Sequence, residues 1–279
     1  MSQLTEPARP AAPAVPAYRA GQRVTGLRVI HSEWTKLWSL SSTLWLLLST
    51  VVLVAGGGLL SAALELSSLP RTPAAVAAFD PTQLSQSGVG LAELTAGALG
   101  VLIMTGEYST GQVRLTFTAV PRRLPVLWGK LAALAVALLV TGTAATFAAF
   151  FSVQAILAAH HLGASVTQPG VARAVLGSAL TLTAVALFGL GLGALLRNAA
   201  GGICALFGVL YGITIAALFL PARTDHAVRP YLPENAVSAV ASVTRPASML
   251  GPWAGFGLFC LYTAVALGAS AWLLRRRDA

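Results

Sequence analysis

Few residues in this chain could do chemistry, and most of them lie in one stretch. Gly106-Glu107-Tyr108-Ser109-Thr110-Gly111-Gln112-Val113-Arg114, running on to Pro121-Arg122-Arg123, is polar, cation-rich and set between two apolar runs. No lysine or arginine occurs between Arg71 and Arg114; then Arg114, Arg122, Arg123 and Lys130 arrive together. The chemistry open to these residue types is charge pairing and docking. Gly111 can adopt backbone angles that other residues avoid. Gln112 to Val120 has room for about two helical turns, with Val113, Phe117 and Val120 on one side. Pro121 disfavours helical geometry at Val120 and marks an end. A short amphipathic helix with arginines at its far end suits a groove on a soluble partner. An ordinary basic loop between two spans is the plainer reading, and the residues alone leave both open.

One further titratable side chain stands out. Glu93 is the one acidic residue well inside an apolar run. A charged carboxylate at mid-membrane costs a few kcal/mol, about 3 on insertion scales. Fourteen residues separate it from Glu107, roughly 21 Å at the helical rise. It reads either as a polar point on a pathway or as the acceptor of an interhelical hydrogen bond. His160 and His161 are adjacent, do not share a helix face and have no third ligand nearby, so no metal is expected there. Cys204 and Cys260 fall in apolar runs and are expected to be small buried hydrophobes, not a disulfide or a metal pair.

The elements that must position these residues are membrane helices. The chain has 279 residues, 56% of them hydrophobic and 10% charged, where a soluble domain carries roughly 25% charged residues. A hydrocarbon core of ~30 Å needs about 20 apolar residues per helix. Six runs qualify, at about 43–64, 86–106, 126–158, 172–196, 200–220 and 252–274. They are continuous, which argues against a transmembrane β-barrel. The fold class is therefore all-α and polytopic. Residues 1–22 are rich in Pro and Ala and are expected to form a disordered tail, without the apolar centre of a signal peptide. The spanning domain covers 23–279. At the start of that domain, over 24–42, Leu27, Ile30, Trp34, Leu37 and Trp38 recur at helical spacing with Arg28, Glu33 and Lys36 among them. That pattern fits either a helix lying on the membrane surface or an extension of the first span. Gly189 with Gly193, and Gly208 with Gly212, form small-xxx-small pairs suited to close helix packing; Gly56-Gly57-Gly58 suits a bend or a close contact.

Cation placement gives the orientation. With both termini inside, 13 of the 18 lysines and arginines fall on the inner side and 5 on the outer, which satisfies the positive-inside rule. The net charge of +9 is then explained by topology and anionic lipid headgroups, with no need for nucleic acid.

Glu107-Tyr108-Ser109-Thr110-Gly111, Arg114 and Pro121-Arg122-Arg123 resemble the cytoplasmic loop of type-two permease subunits of bacterial ATP-binding-cassette (ABC) exporters. His31-Ser32-Glu33-Trp34-Thr35-Lys36-Leu37 resembles the N-terminal surface helix of the same permeases, and the layout is similar from about residue 24 to the C-terminus. The resemblance implies six spans, an N-terminal amphipathic surface helix carrying Trp34, Lys36 and Trp38, and a short cytoplasmic coupling helix between spans two and three. It implies Glu107, Tyr108, Gly111, Val113, Arg114, Phe117, Pro121 and Arg122 as the ATPase-coupling residues, with Glu107 oriented through an arginine. It also implies a separate ATPase subunit, a second permease subunit, identical or related, and a place in the bacterial cytoplasmic membrane. By the same analogy, part of 221–250 forms a short outer helix dipping toward the bilayer.

The chain lacks Gly-x-x-x-x-Gly-Lys-Ser/Thr, so it has no phosphate loop of its own. Any ATP would be bound by the partner; no cofactor, no metal and no catalytic residue is expected in this chain. Hydrolase motifs such as Gly-x-Ser-x-Gly are likewise absent. Two other functions stay open: a secondary transporter or channel using Glu93, and a non-transporting membrane subunit of permease shape. The cargo is not legible.

Overall fold

The computed structural model describes residues 26–65, 79–109, 111, 123–244, 246 and 248–276. The tail 1–22 and the expected coupling helix, with Val113, Arg114, Phe117, Pro121 and Arg122, lie outside the described residues. What is described is helical: α1 (Gly26–Ser39), α2 (Ser41–Glu65), α3 (Pro81–Ser85), α4 (Val89–Ser109), α5 (Arg123–Ala158), α6 (Val171–Leu196), α7 (Ala199–Ala217), α8 (Ala222–Val228), α9 (Pro233–Ser238) and α10 (Pro252–Arg276). Short 3-10 turns follow α8 at Arg229–Tyr231 and α9 at Ala239–Ala241. Six helices, α2, α4, α5, α6, α7 and α10, are long and apolar enough to cross a membrane. The chain is a multi-pass membrane protein, and the six runs read from the sequence coincide with these helices to within a few residues.

The centre of the bundle is α6, the most enclosed of the six, packed along α4. Small residues make that contact possible. A methyl group added at Gly189 would run into the carbonyl oxygen of Gly97, and one added at Gly193 would lie 2.8 Å from the carbonyl oxygen of Val101. Without side chains there, the two backbones approach closely and gain dispersion contacts along their length. The expected close packing at Gly189 and Gly193 is therefore met. It is not met at Gly208 and Gly212: no neighbouring atom lies within 4 Å of a methyl built on Gly208, and Gly212 meets one carbonyl, Phe207, at 3.9 Å. These two glycines instead bound a single π-helical turn, Gly208–Gly212, inside α7. Such turns insert one extra residue and redirect the side chains that follow. The Gly57 and Gly58 backbones touch the Ser85–Gly88 turn ahead of α4, the close contact that the triple glycine allows.

Helix ends are set by recognisable signals. Arg197 closes α6 in the left-handed region at φ 54° and donates its N–H to Gly193; Asn198 then caps α7 by accepting from the Gly201 N–H at 2.8 Å. The two caps together make a tight turn at Arg197-Asn198. At the other end of the bundle, Asp80 caps α3 and accepts from Thr244 at 3.0 Å. Arg173 donates to the carbonyls of Val240 and Ser242 at 2.8 and 2.9 Å, pinning the segment after α9. That segment is folded: α8, α9 and their turns seat Ala236, Val237 and Val240 without exposure. Cys204 and Cys260 are free and exposed on the outer surface of the bundle, a correction to the burial expected of them: an apolar run in a membrane protein has a lipid-facing side as well as a core side.

Candidate functional site

The stretch singled out by the sequence begins at the end of α4, and the structure surrounds its first residues with charge. α1 runs alongside α5 and buries Val29, Glu33 and Leu37. This stripe, one residue every four, differs from the expected apolar face: Leu27, Ile30 and Trp38 are exposed, and a carboxylate stands where an apolar side chain would be expected. Trp34 is partly buried and meets Trp38 edge-on at 5.6 Å between ring centroids. Gly129 on α5 allows the approach; a methyl there would lie 3.1 Å from the Val29 side chain.

The carboxylate of Glu33 belongs to a closed ring of four charges. Lys130 Nζ on α5 donates to Glu33 Oε2 at 2.6 Å and to Glu107 Oε1 at 2.7 Å. Lys36 Nζ donates to Glu33 Oε1 at 2.7 Å and to Glu107 Oε1 at 3.0 Å. Each ammonium touches both carboxylates. The ring is electrically neutral, and Lys130 and Glu33 are almost wholly enclosed, at 3% and 4% exposure. Such a buried arrangement persists because every charge has partners; removal of one member would leave another stranded. Burial lowers the proton affinity of Lys36, but the hydrogen bonds and charges of Glu33 and Glu107 outweigh it and hold its ammonium above the ordinary lysine range.

Among the described residues Glu107 is thus held by lysines; Arg114 and Arg122, the arginines near it in sequence, lie outside the described residues. Among the described residues, Arg197 reaches this region, with its guanidinium over the Tyr108 ring at 5.2 Å from its centroid. This contact ties the α6–α7 turn to the end of α4. Gly111 takes the left-handed φ of 70°, the freedom for which a glycine is needed there. A cavity of about 440 Å³ opens beside the ring, walled by Leu37, Leu40, Leu46 and Ile103 and edged by Lys36 and Ser109. The ring can therefore move three elements as one: α1, the end of α4 and the beginning of α5.

Glu33 and Lys130 were not among the candidates drawn from the sequence. Lys130 gave a signal, since it falls inside the apolar run 126–158, where a cation needs a partner. Glu33 gave another: it lies four residues from both Val29 and Leu37, on the face that packs.

The second polar centre lies fourteen residues back along α4. Glu93, 2% exposed, accepts from Tyr211 on the π turn of α7 at 3.1 Å, and the same hydroxyl lies 3.0 Å from the carbonyl oxygen of Gly90. The Glu234 carboxyl, on the first turn of α9, lies beside that of Glu93. The interhelical hydrogen bond expected as one reading of Glu93 is therefore present. Neither Tyr211 nor Glu234 was singled out from the sequence. No known family model matches the chain, and no curated protein matches it.

Proposed function

We propose that this chain is the membrane-spanning permease subunit of an ABC exporter in the bacterial cytoplasmic membrane. Both termini are on the cytoplasmic side, and a separate ATPase subunit binds the nucleotide. A second permease subunit, identical or related, completes the pathway, and the chain itself is not an enzyme.

The observation that carries this reading is the Glu33–Lys36–Glu107–Lys130 ring. Residues 110–122 are joined at one end to α4, just past Glu107, and at the other to α5, just before Lys130. A soluble partner that grips this stretch pulls on two spans whose ends are bonded to each other and to α1. The ring prevents the ends from moving separately, so the pull reaches the bundle as a rigid displacement. Val113 and Phe117 supply the apolar anchors for docking, Arg114 and Arg122 the charges beside them, and Pro121 the end of the docking helix. Exposed Leu27, Ile30 and Trp38 on α1 lie in the headgroup layer of membrane lipid. The experiment is co-isolation: the tagged chain is drawn from its native membranes in lipid nanodiscs, and its companions are identified by mass. An ABC ATPase in near-equal amount supports the reading; a chain that moves cargo with no ATPase contradicts it.

One observation favours a second reading. The buried Glu93, in contact with Tyr211 and Glu234, would serve a proton-linked carrier. Proton-driven flux in vesicles holding this chain alone would select it.

A further inference from the structure

The outer helix α9 is seated on the spans by contacts of two kinds. Toward its C-terminal end they are permanent: Thr181 of α6 donates to the Val237 carbonyl at 3.0 Å, and Arg173 holds the carbonyls of Val240 and Ser242. A methyl at Gly177 would strike the Val240 carbonyl oxygen, so that end lies tight on α6. Toward its N-terminal end the contact is between two acids. Glu234 meets Glu93 of α4, and Glu93 is held from the other side by Tyr211 of α7.

Two ionised carboxylates shut away from water would drive each other apart, because neither a cation nor solvent screens them. The groups that face them have been used up. Tyr211 has one hydroxyl proton, placed between Glu93 and Gly90. Arg229, after α8, pairs with Asp225 at 3.5 Å. Tyr262 of α10 donates to the Tyr231 carbonyl at 2.9 Å, and Arg173 of α6 is committed to its two carbonyls. Among the described residues no cation bonds either carboxyl. Glu234 Oε2 is fully buried with no hydrogen-bond partner there. A proton between the two carboxyls is the donor this arrangement lacks.

We propose that Glu93 and Glu234 hold a single exchangeable proton, and that this proton latches the N-terminal end of α9 onto α4 and α7. When it leaves for the outer aqueous phase, two carboxylates remain in contact, and that end of α9 lifts while Thr181 and Arg173 hold the other as a hinge. Burial pushes the Glu234 carboxyl above the usual carboxylate range, which favours keeping the proton at neutral pH. The latch needs no ATPase, so it and the permease reading stand or fall separately.

The test uses full-length chain in lipid nanodiscs, with Cys204 and Cys260 replaced by Ala and a reporter Leu232→Cys, a buried site two residues before Glu234 on the end that lifts. Its labelling by a water-soluble maleimide is normalised to an exposed reporter, Gln168→Cys, which removes the pH dependence of the thiol itself. Between about pH 6 and about pH 9 the normalised rate should rise, by up to roughly tenfold per pH unit, the limit for one proton. In Glu234→Gln and in Glu93→Gln, where an amide donor replaces the proton, it should stay low and flat. A flat profile in the parent overturns the proposal, as does an unchanged slope in either Gln variant. Should both Gln variants fail to insert, pH-difference infrared spectra of the unsubstituted protein decide: loss of a protonated-carboxyl band with the labelling midpoint supports the latch, and no such band contradicts it.

Discussion

Lys130 Nζ lies 2.6 Å from Glu33 Oε2, across 97 residues of chain. The contact joins the first described helix to the third span, and each residue makes its second bond to another member of the same ring. Lys130→Met should therefore leave two carboxylates sharing Lys36 alone, with one buried charge uncompensated, at a cost of about 3–5 kcal/mol, the usual range for breaking a buried pair. Glu33→Gln added to Lys130→Met leaves the Lys36–Glu107 pair balanced and should recover part of the loss. Denaturant midpoints of the three proteins in detergent measure both effects; a double variant no more stable than the single would contradict the ring.

The pH dependence of Lys36 has a definite sign. Its ammonium is held above the ordinary lysine value of 10.5 by Glu33 and Glu107, against the opposing effect of burial. A raised folded value means that the stabilisation is complete below pH 10.5 and is lost only as pH climbs through the higher folded value. The stability difference between the parent and Lys36→Gln should be constant from neutral to mildly alkaline pH and shrink above that. A difference that disappears near neutrality would contradict the pairing.

Glycines that look alike in the sequence should differ under substitution. Gly189→Ala places a methyl against the Gly97 carbonyl and should destabilise by about 1–3 kcal/mol through overpacking. Gly208→Ala meets no atom within 4 Å and should stay within about 0.5 kcal/mol of the parent. Thermal midpoints in detergent check the contrast.

That contrast also marks what the sequence could tell. The six spans were legible because hydrophobic length depends on composition alone, and the turn at Arg197-Asn198 because capping is local. Which small-xxx-small pair packs was not legible: the Gly208–Gly212 spacing equals that of Gly189–Gly193, but only a neighbouring helix decides between contact and a π turn. The site was half legible. Glu107 and Tyr108 were found at the end of the polar stretch, and Glu93 was found by its burial in an apolar run. Their partners came from elsewhere: Glu33, Lys130, Tyr211 and Glu234 reach them by tertiary packing, which charge type and spacing do not encode. Lys130 announced a need as a cation within a span, and Glu33 by its place on the packing face of α1.

The central claim is that a soluble ATPase grips the stretch between Glu107 and Lys130. It is tested most directly by the amount of ATPase that the chain retains on isolation from its native membranes, compared with Phe117→Asp. A buried aromatic anchor is worth about 2 kcal/mol or more at an interface, roughly a thirtyfold change in affinity. The account predicts a stoichiometric ATPase on the parent and a loss of about that size in the variant, with membrane insertion unchanged. An ATPase retained equally by both, or by neither, would contradict it.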